Sequence, residues 1–312
     1  MRSICPAEPK PGYYQSRPEL KSMAEKPPVI LTIAGFDPSC GAGVTADVKT
    51  IAAHSCYGVA CITALTVQST SGVKRVEAVD AALVTETLEE LTSDLQIAAV
   101  HIGMLATGKV ARAVADFLSA QTSGRASASR KARLPNIVLD PVLRSSSGAE
   151  LLDPAGVRLL TERLMPISDV ITPNVYEAGV LTGMKVKEPE EMKAAAAKLH
   201  DMGAQAVVIT GGDLEKAIDL LSFCSKSGIE QEIFKAERQR SNSTHGTGCA
   251  FATAMACHLA QDRGLAEATL LAKTYVTAAI TNGQPLGKGV GPVHHLYRMT
   301  QQRRAAGTGS ES

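Results

Sequence analysis

From Val29 onward, short apolar runs rich in β-branched residues alternate with segments of helical spacing, and few folds accept that alternation. "VILTIAG" (29–35), "VACITALTV" (59–67), "AAVHIGML" (98–105), "NIVLD" (136–140), "DVITPN" (169–174) and "AVVITGG" (206–212) read as strands buried on both faces. Between them, residues 43–54, 82–95, 108–120, 156–164 and 189–203 carry apolar side chains at helical intervals. Such a series predicts an α/β protein with a mainly parallel sheet, helices on both faces and right-handed crossovers. After residue 212, "AIDLLSF" and "EQEIFKAE" predict an antiparallel pair, followed by two long helices at about 246–262 and 265–283.

The remaining sequence bounds this domain. Residues 1–28 are proline-rich without an apolar run, so an unstructured extension is expected rather than a secretory signal, with Met23 as an alternative start. Residues 29–300 read as one domain, 301–312 as an unstructured tail, and 121–135 as a surface connection. Aromatics are only 4% and Trp is absent, which leaves the core to Ala, Val, Ile and Leu and disfavours stacking platforms. A net charge of +1 without a dense basic cluster speaks against nucleic acid, and no apolar run is long enough to span a membrane. Seven cysteines without a Cys-x-x-Cys pair argue against a disulfide framework or structural zinc and fit a cytoplasmic protein. A small molecule is the expected partner.

Ligands of open parallel sheets bind beyond the carboxyl ends of the strands, so the residues that follow each strand are informative. "AGFDPSCGAGVTAD" surrounds Asp37 with Gly35, Gly41 and Gly43, a loop that lets a ligand approach the backbone closely. It is neither Gly-x-Gly-x-x-Gly nor a Walker loop, which demotes ordinary dinucleotide and P-loop readings. Gln68 follows the second strand, Met104 the third, Asp140 the fourth, and Asn174 with Glu177 the fifth. "THGTGC" places Gly246, Thr247, Gly248 and Cys249 at the mouth of an alanine-rich helix, where unpaired N–H groups and the positive end of the helix dipole favour an anion. The same dipole predicts a lowered pKa for the Cys249 thiol. Simpler readings stand beside these: a cap from Asn242, Ser243 or Thr244, a turn at Asp140, surface or capping roles for Asp47 and Gln68, and core packing for Met104.

In order, "TIAGFDPSCGAGVTADVKT", "ITALTVQ", "IGML", "VLDPV", "ITPNVYEA", "THGTGC" and "GKGVGPVHH" resemble the hydroxymethylpyrimidine and phosphomethylpyrimidine kinases of thiamin biosynthesis over about residues 28–298. The resemblance implies a ribokinase-like three-layer α/β/α fold with a central, mostly parallel sheet. It implies a cytoplasmic homodimer that uses ATP and Mg²⁺ to phosphorylate 4-amino-5-hydroxymethyl-2-methylpyrimidine and then its monophosphate. Gly35, Asp47, Gln68 and Met104 then meet the pyrimidine, and Asp140, Asn174, Glu177, Thr210 and Gly212 the nucleotide and phosphates. Glu177 and Asp140 serve the metal, Gly246, Thr247 and Gly248 form the anion hole, and Cys249 accepts the hydroxyl proton. Three departures stand out. Cys40 replaces a glycine of the first loop, while Thr210 and Ser146 stand where many relatives carry lysine, leaving Arg144 or Lys288 to supply charge. A pyridoxal-type kinase of the same superfamily and a catalytically weakened ligand-binding protein are the alternatives.

Overall fold

The computed structural model describes residues 26–122, 133–212, 214, 217–225, 228–239 and 241–300. The expected terminal extensions lie almost wholly outside the described residues, as does most of the expected 121–135 connection.

Among the described residues nine strands form one sheet: β1 (Val29–Phe36), β2 (Tyr57–Ser69), β3 (Gly72–Ala78), β4 (Ile97–Ile102), β5 (Ile137–Leu139), β6 (Val170–Ile171), β7 (Ala206–Gly211), β8 (Ala217–Ser225) and β9 (Gly228–Ala236). Their order is β3-β2-β1-β4-β5-β6-β7-β8-β9. The six strands from β2 to β7 in that order run parallel, and antiparallel strands close both edges. Neighbouring residues of the central strands serve opposite cores, which is why their sequences are apolar without a gap. Leu31, Val100, Leu139 and Val207 face α2 (Ala81–Asp94), α3 (Gly108–Thr122) and α6 (Pro189–Asp201). Ile30, Ala99, Val138 and Val208 face α1 (Gly43–Ala53), α7 (Thr247–Ala260) and α8 (Leu265–Thr281). Small side chains let α7 lie deep: every residue from Ala250 to His258 is buried.

The helix starts follow side-chain caps. Asp80 accepts the N–H groups of Ala82 and Leu83 at the mouth of α2, and Asp153 caps α4 (Pro154–Leu159), which opens on proline. The helix expected over 156–164 is interrupted, because a wider turn at Leu160–Leu164 replaces the α-helical ladder after Leu159. Two elements escaped the sequence pattern. The edge strand β3 is mostly exposed and carries no core face, and α5 (Val175–Thr182) was hidden inside the segment following β6. With β3 paired to it, β2 extends to Ser69, so Gln68 is a strand residue rather than the loop residue expected.

Candidate active site

One cavity of about 1240 Å³ opens along the carboxyl ends of the parallel strands. Gly35, Gln68, Met104, Asp140, Asn174, Glu177, Thr210, Gly212 and the Gly246–Cys249 segment all line it. These residues come from separate strand ends and were expected to meet.

Asp47 does not join them. It is fully buried in α1, where its carboxylate accepts the hydroxyls of Thr32 at 2.6 Å and Thr253 at 2.9 Å and lies 3.4 Å from Nδ1 of His101. Its oxygens tie α1 to β1, β4 and α7 beneath the cavity floor. The expectation that Asp47 meets the substrate edge is therefore corrected to an internal role in this structure. The reason is positional: Asp47 falls on the inward face of α1 together with Val44 and Ile51.

The first loop is organised by Asp37. Its Oδ1 accepts the Ser39 N–H and hydroxyl at 2.8 and 2.7 Å, and Oδ2 accepts the N–H of Ala42 at 3.0 Å and Nε2 of His245 at 2.8 Å. Burial pushes this carboxyl up, but the hydrogen bonds of His245 and Ser39 outweigh burial and leave its pKa lowered. Cys40 keeps the turn that a glycine would make by adopting a left-handed φ of 58°, and its N–H reaches the Asp37 carbonyl at 2.9 Å. The replacement of glycine by Cys40 is thus accommodated by a left-handed backbone that a side chain rarely adopts.

The opposite wall is the mouth of α7. Among the described residues no side chain caps this helix, so the caps expected from Asn242, Ser243 or Thr244 are absent, and its first residues, Gly246 to Cys249, line the cavity. Gly246 has a left-handed φ of 84°, and a β-carbon there would fall onto the Gly41 carbonyl. Both requirements explain why a glycine precedes the helix. The segment is strapped down by the closing residues: His245 N–H reaches the Gly291 carbonyl at 3.0 Å, and Gly291 N–H reaches Asn242 at 2.8 Å.

Cys249 lies on the cavity wall, but its expected acidity is not found. Burial raises its pKa well above the usual thiol value, and the nearby carboxylates of Asp140, Asp47 and Glu177 add to the effect. Helix dipole and backbone donors are outweighed. Asp140 is itself pushed up to about 7 by burial, despite a favourable field from His101.

Asn174 and Glu177 form a reciprocal capping box at the start of α5: Oδ1 of Asn174 accepts the Glu177 N–H and Oε2 of Glu177 accepts the Asn174 N–H, both at 2.9 Å. Helix capping is the first work of this pair, and wall position the second. Next to it, the N–H of Thr210 bonds the Pro173 carbonyl at 2.9 Å, which fixes the end of β7 beside α5.

Lys273, Asp219 and His245 line the wall without having been named as site residues from the sequence, whereas Arg144 was expected there as a substitute cation. Lys273 of α8 is buried and donates to Asp219 at 2.7 Å, and Asp219 is the cross-strand partner of Thr210. Arg144 is on the wall with its guanidinium 4.1 Å from the ring centre of Tyr176. Lys288, the other expected substitute cation, is not on the wall. His245 and Asp37 join the wall as a pair 208 positions apart. The glycine-rich setting of Asp37 was a usable signal, whereas nothing local marks Lys273.

The carboxylates of Asp140 and Glu177 share this wall, and among the described residues no three metal-ligating side chains converge into a cage. That donor set suits a hard cation such as Mg²⁺, which keeps waters and leans on phosphate oxygens.

A family described as phosphomethylpyrimidine kinase matches residues 37–294 of the chain. The chain is 41% identical over 263 residues to the hydroxymethylpyrimidine/phosphomethylpyrimidine kinase of Aquifex aeolicus, spanning 84% of this chain and 97% of that protein. It is 40% identical over 269 residues to the thiamine biosynthesis bifunctional protein ThiED of Geobacter sulfurreducens, of which it spans only 52%. Among solved structures, an ADP complex of Bacillus subtilis pyridoxal kinase matches with a TM-score of 0.76 at 34% identity, covering 88% of this chain and 100% of that one. The phosphomethylpyrimidine kinase of Clostridium difficile matches with a TM-score of 0.68 at 33% identity, covering 81% and 99%. The layered sheet, the cavity at its carboxyl edge and these matches together mean that the chain is a phosphotransferase of ribokinase-like fold and belongs to the phosphomethylpyrimidine kinase family.

Proposed function

We propose that the chain transfers the γ-phosphoryl group of ATP to the hydroxymethyl group of 4-amino-5-hydroxymethyl-2-methylpyrimidine, and then phosphorylates the monophosphate, in thiamin diphosphate synthesis. One observation carries this reading: residues expected at a heterocycle and residues expected at phosphates line one cavity of about 1240 Å³, larger than a single small ligand needs. The names of the relatives support the pyrimidine as acceptor.

In this reading Gln68 and the Gly35–Met104 wall receive the heterocycle. A side chain on Gly35 would run into the Met104 sulfur, so that wall is shaped by their contact. The N–H groups at Gly246, Thr247 and Gly248 hold the charge that develops on the phosphoryl oxygens. Asp140 and Glu177 would hold Mg²⁺, which would supply positive charge to offset that of the nucleotide phosphates. Cys249, as the minority thiolate, takes the hydroxyl proton while the oxygen attacks phosphorus in line. Its raised pKa makes that thiolate scarce but strongly basic.

A cytoplasmic homodimer completes the reading. Free cysteines support a reducing compartment, and Ile62, Leu65 and Val67 leave an exposed apolar strip on β2 that a second copy would cover. Among the described residues no helix is long and apolar enough to cross a membrane.

A pyridoxal acceptor is the second reading, favoured by the TM-score of 0.76 to a pyridoxal kinase. Measuring kcat/KM for the pyrimidine alcohol and for pyridoxal decides between them. The pyrimidine is expected to lead by at least about 100-fold, the scale set by leaving buried polar groups unpaired. A lead for pyridoxal would overturn the first reading, and no turnover of either would favour a binding protein.

A further inference from the structure

The cavity wall carries the cations Arg144, Arg238 and Lys273 against the carboxylates of Asp37, Asp140, Glu177, Asp219 and Glu237. A ligand bearing several phosphate charges cannot settle there unless some positive charge is available to it. Lys273 is committed to Asp219 at 2.7 Å, and Arg238 donates to the Leu214 carbonyl at 3.0 Å. Arg144 differs from both. Its described partner is the face of the Tyr176 ring, 4.1 Å away, which occupies the flat side of the guanidinium. Stacking leaves the N–H donors at the edge, in the fork geometry that suits phosphoryl oxygens.

Both residues are held by rigid supports. Arg144 opens a tight loop in which its backbone bridges to Glu150, Ser145 N–H reaches the Ala149 carbonyl at 2.8 Å, and Gly148 N–H reaches the Ser145 carbonyl at 2.9 Å. Tyr176 belongs to the first turn of α5, between the two members of the Asn174–Glu177 capping box. The loop starts at the strand end that carries Asp140, and Asp140 faces the mouth of α7, with a β-carbon built on Gly248 lying 3.9 Å from its Oδ2. Arg144 therefore follows Asp140 by four residues, stacks on the α5 turn that carries Glu177, and lines the same cavity as the mouth of α7. Tyr176 is 42% exposed, an unusual place for an aromatic ring that serves only packing.

We propose that Arg144 contacts the transferring phosphoryl group through its guanidinium edge, and that Tyr176 is the positioning residue that aims it. The proposal rests on the phosphoryl-transfer reading above. The bond from the substrate oxygen to the γ-phosphorus forms as the bond from that phosphorus to the β,γ-bridging oxygen breaks. The nucleoside diphosphate leaves, and the hydroxyl proton passes to Cys249. Arg144 stabilises charge on the non-bridging oxygens, so its loss acts on the transition state more than on substrate binding.

Steady-state kinetics on Arg144→Ala, Arg144→Lys, Tyr176→Ala and Tyr176→Phe, with ATP, Mg²⁺ and the pyrimidine alcohol, test this. Arg144→Ala is expected to lower kcat by about 100-fold or more while KM for the pyrimidine alcohol changes less than about threefold. Guanidinium ion added to that variant is expected to restore several-fold of the lost rate. Arg144→Lys keeps the charge without the fork and falls between. Tyr176→Ala is expected to lose about tenfold in kcat, and Tyr176→Phe, which keeps a ring face, recovers most of that loss. A kcat for Arg144→Ala within threefold of the wild type, or a loss that guanidinium does not relieve, would overturn the assignment of Arg144 alone. No turnover by the wild-type chain would overturn the phosphoryl-transfer reading and this assignment with it.

Discussion

Oδ2 of Asp37 and Nε2 of His245 lie 2.8 Å apart, joining the glycine-rich loop after the first strand to the segment that leads into α7. The two halves of the cavity are thus set by one hydrogen-bonded pair rather than by each loop alone. Removing the imidazole leaves a buried carboxylate short of its strongest donor, which costs about 1–3 kcal/mol. His245→Ala is expected to lose that much stability by denaturant unfolding and to lose activity besides, because the α7 mouth is no longer registered against the first loop. Asp37 contributes stability above its unfolded pKa, and that contribution fades as pH falls through its lowered native value. An unchanged unfolding midpoint in His245→Ala would contradict the coupling.

The Asn174–Glu177 motif serves as a helix cap and is proposed to serve as a metal and phosphate site, and one substitution separates the two. Glu177→Gln keeps a side chain able to accept the Asn174 N–H, so stability should change by less than about 1 kcal/mol. Losing the carboxylate should lower kcat by at least about tenfold and raise the Mg²⁺ concentration needed for half-maximal rate. Full activity in this variant would reduce the motif to a cap.

Cys249 supplies a pH test with a definite sign. Because burial and the carboxylates of Asp140, Asp47 and Glu177 hold its pKa well above the usual value, the thiolate fraction grows about tenfold per pH unit below that value. Provided Cys249 is the base, log kcat rises with pH through neutrality without reaching a plateau at the ordinary thiol pKa. Cys249→Ala should lose most of kcat, keep KM for the pyrimidine alcohol, and lose that slope. Equal rates for variant and wild type would remove the base role.

Much of this was legible in the sequence, and the reasons for what was not are physical. Buried strands announce themselves because both faces need apolar side chains, so β1, β4 and β7 lay where expected. Strand β3 was missed because Lys74, Arg75 and Glu77 lie on an exposed edge where no core imposes a pattern. The polar residues of the cavity wall were legible as breaks after apolar strands, whereas Asp47, named with them, lies off the wall. Its inward place follows from its spacing with Val44 and Ile51 in α1, but the partners that satisfy it there, Thr32, His101 and Thr253, converge from three other elements, and no local spacing encodes them. The raised thiol of Cys249 was misread for a related reason: a helix dipole is visible in sequence, but three neighbouring carboxylates and burial are not. Cys40 shows the reverse case, in which a residue unsuited to a left-handed turn adopts it because Asp37 and Lys49 hold both sides of the loop.

A second histidine cluster governs stability in acid. His54 packs edge-on against His258 and Tyr275, its Nδ1 donates to the Thr50 carbonyl at 2.7 Å, and its Nε2 is buried without a partner among the described residues. Burial lowers the pKa of His54 to about 4, with the charges of His258 and Arg298 adding to it, and burial lowers that of His295 to about 4 as well. The folded state therefore refuses protons that the unfolded chain takes below about 6.5. Stability is full above that pH, falls by about 1.4 kcal/mol per unit for each histidine on acidification, and levels off below about pH 4. Thermal unfolding of the wild type and of His54→Leu from pH 7 to pH 4 checks this, with a shallower decline expected in the variant. Parallel declines would show that His54 does not carry its share.

Product identification by mass spectrometry, after incubation of the full chain with ATP, Mg²⁺ and 4-amino-5-hydroxymethyl-2-methylpyrimidine, tests the central claim most directly. The expected products are ADP and the pyrimidine monophosphate, with the diphosphate following on longer incubation. Unmodified pyrimidine alongside efficient phosphorylation of pyridoxal under the same conditions would contradict it.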